Sequence, residues 1–409
     1  MKAGHWLTSK RLHIYPAAML LAQLVGVCIL LYLYRDAPGY EPSMAFANDF
    51  RVFWGASHLA LEGRAADAYD INQLFPVLQS VDPGLVRVRA WFHWFYPPTF
   101  LLAVLPLAVL PYLLSYAVFT LSTLVGYVVM LARIARPHRI GLLIIAFPPT
   151  ILTAFNGQNA FLTATLAGCG LMLLERRPVV AGICIGLLAI KPHLAILFPV
   201  ALLCTRAWKA MFAAAATALC LFIASLLVLG VDTASGFVHS IGIARQLATE
   251  GALPLVKMPT VFGAARLLGA GASLANGIHF AVAVLAMLAV VLVWRKPQPL
   301  CLRASVLILA SLLVSPHMFD YDLTWLALPI AWMGVHGLRR GWLRGERELL
   351  VVAWFSPLVC EVGASILSVQ MGPLVVLTML AFLLCRARLS TLAQGVAASV
   401  SPTTRHVSR

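Results

Sequence analysis

Apolar runs, each near the length a lipid bilayer core demands, recur along the chain between short polar breaks. About 20 apolar residues in a helix cross the hydrocarbon layer, so the pattern predicts an all-α, polytopic integral membrane protein. The two-residue alternation of a membrane β-barrel is absent. The expected spanning segments lie at 16–34, 112–134, 141–155, 159–175, 179–191, 192–206, 209–230, 276–294, 321–338, 348–367 and 370–386. The proline-rich run 96–110 reads as re-entrant or half-buried, because irregular backbone at membrane depth must lie against protein or a wet cavity. About 12 crossings result from this threading.

Charge sets the direction of threading. The chain is 61% hydrophobic and 11% charged, less than half the charged share of a soluble domain. Its net charge of +15 comes from short basic clusters between apolar runs, such as Arg136 to Arg139, Arg176-Arg177, Arg206 to Lys209, Arg295-Lys296 and Arg339 to Arg344. Such clusters hold loops on the cytoplasmic side, and they do not form the patch that a nucleic-acid reading requires. Residues 1–386 read as one transmembrane domain, with extracytoplasmic loops at 35–95 and 231–275 and a tail at 387–409 expected to be disordered. The first segment, after Lys10-Arg11, resembles a signal peptide but lacks a small-residue cleavage site, and reads as an uncleaved helix. Seven of the eight cysteines sit inside apolar segments without CxxC spacing, and read as small buried hydrophobes rather than metal ligands.

The acids are distributed differently. Seven of fifteen fall between Arg35 and Phe95, in a stretch too polar for the bilayer. The same threading puts Asn156-Gly157-Gln158-Asn159, Lys191-Pro192-His193 and Ser315-Pro316-His317 on that face. Asp49, in Asn48-Asp49-Phe50, precedes an amphipathic stretch from Val52 to Leu61 suited to lie on the membrane surface. A carboxylate beside an apolar surface can serve as a general base, while Asp is equally at home as a helix N-cap; both readings stand. Asp67 and Asp70 read as turn or cap residues. His317, after a proline that frees backbone amides, suits an anion site or an interfacial cap. Lys191 reads either as a headgroup-level snorkelling lysine or as a partner for a lipid phosphate. Gln158 sits in a polar turn. The cluster from Trp91 to Pro98 reads as an interfacial aromatic belt or a sugar-stacking platform.

Asn48-Asp49-Phe50, Ala68-Tyr69-Asp70, Tyr96-Pro97-Pro98, Gly157-Gln158, Lys191-Pro192 and Ser315-Pro316-His317 occur in an order that resembles glycosyltransferase family 87, over roughly residues 45 to 335. The resemblance implies a C-type glycosyltransferase (GT-C) fold. It also implies inverting transfer of a hexose, plausibly mannose, from a polyprenyl-phosphate sugar to a periplasmic lipid or glycan acceptor at a bacterial inner membrane. Asp49 would be the base and His317 a second active-site group at the donor phosphate. Lys191, Gln158, Asn48, Tyr96 and His193 would bind substrate. No cofactor is expected beyond the lipid-linked sugar donor, and no metal is assigned because the isolated Asp49 offers no ligand set. The rival reading is a transporter or lipid flippase, which calls for internal repeats and ionisable residues at mid-span; only Glu361 approaches that pattern.

Overall fold

The computed structural model describes residues 5–34, 49–83, 85 and 92–400. It is 80% helix without strands among the described residues. Helix α1 (Arg11–Tyr34) is followed by α2 (Phe50–Leu61), a 3-10 turn (Ala65–Tyr69) and α3 (Ile71–Val81). Next come α4 (Pro98–Val104), the long α5 (Tyr112–Ala135), α6 (Gly141–Ile145), α7 (Pro148–Asn156) and α8 (Ala160–Leu173). Then follow α9 (Pro178–Gly186), α10 (Pro192–Ala195), α11 (Leu197–Cys204), α12 (Trp208–Leu229), α13 (Asp232–Glu250) and α14 (Val261–Leu267). The chain closes with α15 (Ala272–Trp294), α16 (Leu300–Val314), α17 (Ala327–Arg340), α18 (Glu346–Leu367) and α19 (Gly372–Val400).

Among the described residues five helices are long and apolar enough to cross a membrane: α1, α5, α12, α15 and the Gly372–Ser390 part of α19. Shorter apolar helices occupy Pro98–Val109, Ala160–Leu173, Pro178–Ile190, Pro192–Cys204 and Leu300–Val314. Proline decides where several of these begin. Pro98, Pro148, Pro178 and Pro192 each open a helix, where the missing N–H costs nothing and the fixed φ suits the first turn. The expected span 141–155 is therefore divided at Pro148, with Phe147 held extended before it. The expected span 321–338 begins instead as a 3-10 helix, Asp320–Leu326, and becomes α-helical only at Ala327.

Two expected loops carry regular structure. The 231–275 loop contains α13 and α14. Helix α2 does form, but Phe50, Phe53, Ala56 and Leu59 are fully buried against protein, so it does not lie flat on lipid. The tail expected to be disordered continues α19 as far as Val400, because residues 386–396 are mostly good helix formers without proline or glycine before Gly395.

Antiparallel and parallel neighbours define two ends of the bundle. Helices α9 and α12 run side by side: a methyl on Gly182 would strike the Ala210 carbonyl, and one on Gly186 would fall 2.7 Å from Thr217 Cβ. Small residues permit such backbone approach between membrane helices. The direction of that pairing puts Lys191 at the end away from Trp208. At the Trp208 end gather Arg303 with Glu175, Arg339 against the Arg136 carbonyl (2.9 Å), and the buried pair Arg386–Glu346. The expected basic loops thus share one end, and the polar motifs occupy the other.

Candidate functional site

Asp49 occupies the N-cap position of α2, yet its carboxylate makes no cap hydrogen bond (φ −84°, ψ −25°). Instead Gln158 Nε2 donates to Asp49 Oδ2 at 2.9 Å. Of the two readings open in the sequence, capping is therefore not what this side chain does. Asp70, by contrast, caps α3 by accepting from the Asn72 amide at 2.9 Å, and Asp67 pairs with Arg64 at 2.8 Å.

The Asp49–Gln158 contact depends on the residue before the glutamine. Gly157 ends α7 in the left-handed region (φ +69°), and a Cβ there would lie 2.6 Å from Phe50 Cβ and 2.9 Å from the Tyr116 ring. Phe50 itself is wedged among Phe53, Tyr112, Tyr116 and Phe119. The turn and the start of α2 are thus pressed together, which brings residues 109 positions apart into hydrogen-bond range. Arg51, close by in sequence, is buried and paired with Asp82 at 2.7 Å, fixing the same helix end to the loop after α3.

Gln158 also accepts from Tyr96 Oη, 3.2 Å away. The side chains of Tyr321 and Asn159 approach the same hydroxyl. Burial pushes Tyr96 far above the ordinary phenol range, and the charges of Asp322 and Asp49 push it further. Tyr96 is therefore a permanent hydrogen-bond donor. Tyr321, beside it, stacks on Phe319 at 5.7 Å.

Lys191 closes the network. Placed where the 3-10 turn before it breaks (φ −143°, ψ 68°), it bonds Asp322 Oδ1 at 2.6 Å and Asn159 Oδ1 at 3.3 Å. Its ammonium also stands 4.8 Å above the Tyr321 ring. Lys191 and Asp322 are both buried, with side chains 3% and 0% exposed. The lysine expected to meet a phosphate thus has its charge already matched inside the protein. Asp322 keeps neither oxygen open, since Oδ2 accepts from the Phe319 amide at 3.3 Å. The 3-10 segment carrying Tyr321 and Asp322 is pinned by Tyr127 Oη to the Thr324 carbonyl (3.1 Å), Thr153 to Thr324 (2.9 Å) and Trp325 Nε1 to Thr163 (3.1 Å).

The histidines lie beyond Lys191. His193 follows Lys191 by two residues, and among the described residues its buried Nε2 has no partner. His317 is accessible at the rim and packs edge-on to Phe262 at 6.4 Å. Surrounding protein lowers its pKa, helped by His279 and Arg245. Among the described residues His317 makes no hydrogen bond to Asp49 or Gln158. Asn159 Nδ2 and Ser315 Oγ are also buried with no partner among the described residues. Asn48 lies outside the described residues. Trp94, expected at an interface or under a sugar, is 1% exposed and stacks on Phe100 at 5.7 Å; it is core.

Asp322, Tyr321 and Asn159 are the site residues that motif reading passed over. Their one signal was position: Asn159 follows Gln158, and Asp322 lies five residues after His317.

A helical membrane bundle that gathers a half-buried carboxylate, a tyrosine pair, an ion pair and two histidines at one end defines a membrane protein with a polar site at its edge. The model of glycosyltransferase family 87 matches residues 94–316, just over half of the chain, and the protein belongs to that family, which makes it a membrane glycosyltransferase. Tyr96, Gln158, Asn159, Lys191 and His193 fall within the match, whereas Asp49, His317 and Asp322 fall outside it. No curated protein and no solved structure matches the chain.

Proposed function

We propose that the protein moves a hexose, with mannose as the first sugar to test, from a polyprenyl-phosphate sugar to a lipid or glycan acceptor with inversion at the anomeric carbon. In this reading the chain crosses a bacterial inner membrane about 12 times. Its basic end faces the cytoplasm, as the positive-inside rule requires, and its polar end faces the periplasm.

The observation that carries the proposal is the asymmetry of the two carboxylates. Asp322 is sealed, and both its oxygens are engaged. Asp49 is half-buried and, among the described residues, held by one oxygen only, Oδ2, on the Gln158 amide. Oδ1 is then the proton acceptor for the incoming hydroxyl, while that hydroxyl attacks the anomeric carbon and the phosphate departs with the bonding electrons. A single usable carboxylate suits inversion, since retention calls for a second one as nucleophile. The leaving phosphate is acidic enough to need hydrogen bonds rather than a general acid. His317 at the rim, with His193 Nε2 and Asn159 Nδ2 behind it, supplies them. Lys191 acts as a positioning residue, ordering Tyr321, Asn159 and, through them, Tyr96. Asn48 stands as a further substrate contact by its place beside Asp49 in the sequence.

A general base contributes about 10² to 10⁴ in rate. Asp49→Asn, which keeps the Gln158 contact possible through its side-chain oxygen, is expected to lower sugar transfer in membrane vesicles by that factor. A folded Asp49→Asn protein that transfers at the native rate removes Asp49 from the role.

A further inference from the structure

At the basic end, a groove of about 610 Å³ runs between the end of α11 and the last turn of α15. Val200, Leu203, Cys204 and Val291 form its wall, and Arg206 and Arg295 stand on its rim. The two arginines come from loops far apart in sequence, and both are exposed. Among the described residues neither guanidinium has an acid within ion-pair distance, and no carboxylate lines the groove. Two other arginines at this end are matched inside the protein, Arg303 by Glu175 and Arg386 by Glu346.

The simplest account is that each arginine sits just past a helix C-terminus, where the dipole favours a cation. That explains one guanidinium per helix. It does not explain why two converge unpaired over a wall of aliphatic side chains. Leu203 is 49% exposed there. Beside the groove, Trp208 and Phe212 stack at 6.3 Å and are 47% and 66% exposed, marking the level at which aromatic side chains meet headgroups. Two cations at headgroup level above an apolar wall complement a phosphodiester with acyl chains beneath it.

We infer that this groove binds one anionic diacyl phospholipid of the surrounding membrane, with its phosphate between Arg206 and Arg295 and an acyl chain along Leu203 and Val291. The site is at the opposite end of the bundle from Asp49 and does not depend on the transferase reading.

The test uses the full chain, purified in detergent and stripped of lipid, with equimolar phosphatidylglycerol and phosphatidylethanolamine added, and bound lipid counted by native mass spectrometry. Each basic residue near anionic lipid is worth about fivefold, so Arg206→Gln with Arg295→Gln should cut phosphatidylglycerol retention about thirtyfold. The doubly Lys-substituted protein should keep most of it. Leu203→Glu, at an already exposed side chain, should expel the lipid without touching either arginine, and it tests the same groove where the Gln variant fails to fold. Equal retention of the two lipids, retention of phosphatidylglycerol by Leu203→Glu or by a folded Gln variant, or its displacement by millimolar inorganic phosphate would each overturn the assignment.

Discussion

Replacing Lys191 with Met probes the centre of the site. The change removes the ammonium but keeps most of the apolar stem, so packing is preserved and the charge is lost. Asp322 is left 0% exposed with only the Phe319 amide, at 3.3 Å, as a donor. Breaking a buried pair from one side costs about 3–5 kcal/mol, because the surviving charge stays desolvated. Asp322→Leu leaves Lys191 stranded and should cost a similar amount. The double variant removes both charges, and exchanging a buried pair for apolar groups is close to neutral. It should therefore recover most of the loss, so the coupling energy in a double-mutant cycle approaches the sum of the two single losses, about 5–9 kcal/mol. Unfolding of the purified protein in mixed micelles, titrated with a denaturing detergent, supplies the free energies. Additive losses, with the double variant as unstable as the two single changes combined, would refute the pairing. The double variant should fold and still transfer sugar poorly, since Tyr321 and Asn159 lose the ammonium that orders them. Native transfer by the double variant would make the pair purely structural.

Two further substitutions test how Asp49 is held. Gln158→Leu removes a hydrogen bond to a charged group worth about 1.5–3 kcal/mol. It should lower kcat by about 10- to 100-fold with little change in KM for the acceptor; a change confined to KM would assign Gln158 to binding instead. Gly157→Ala forces a methyl toward Phe50 Cβ, 2.6 Å away, at a left-handed φ. The backbone conformation costs about 1–2 kcal/mol and the overpacking about 1–3 kcal/mol, both visible as lost unfolding free energy, and native stability would show that the turn can open freely.

Much of this was legible in the chain. Hydropathy pointed to the helical membrane class, and short motifs pointed to Tyr96, Gln158 and Lys191, whose side chains do meet the Asp49 network. Pairings across long separations were not legible. Asp322 and Lys191 lie 131 positions apart, and nothing local in either motif says that the lysine charge is matched internally. Amphipathicity also misled at α2, because an apolar face seeks burial equally in lipid or in protein; Phe50 and Phe53 found aromatic partners from α4 and α5. The aromatic cluster near Trp94 misled similarly, as composition marks an interface without saying which ring turns inward. Helix division at Pro148 was readable in principle from the Pro-Pro pair, but the run of apolar residues around it outweighed that signal.

The glycine seam between α9 and α12 has a consequence for how the enzyme rides in its bilayer. Helix α12 packs one face on α9 and leaves the other exposed, with Phe212, Leu219, Leu227 and Val228 on it, so a thicker or thinner membrane acts on it directly. Mismatch is relieved mainly by tilting. With Gly182 and Gly186 in backbone contact, α9 cannot stay behind when α12 leans, and the break that carries Lys191 travels with both. A change in bilayer thickness is therefore expected to move the polar end together with α12 and α9.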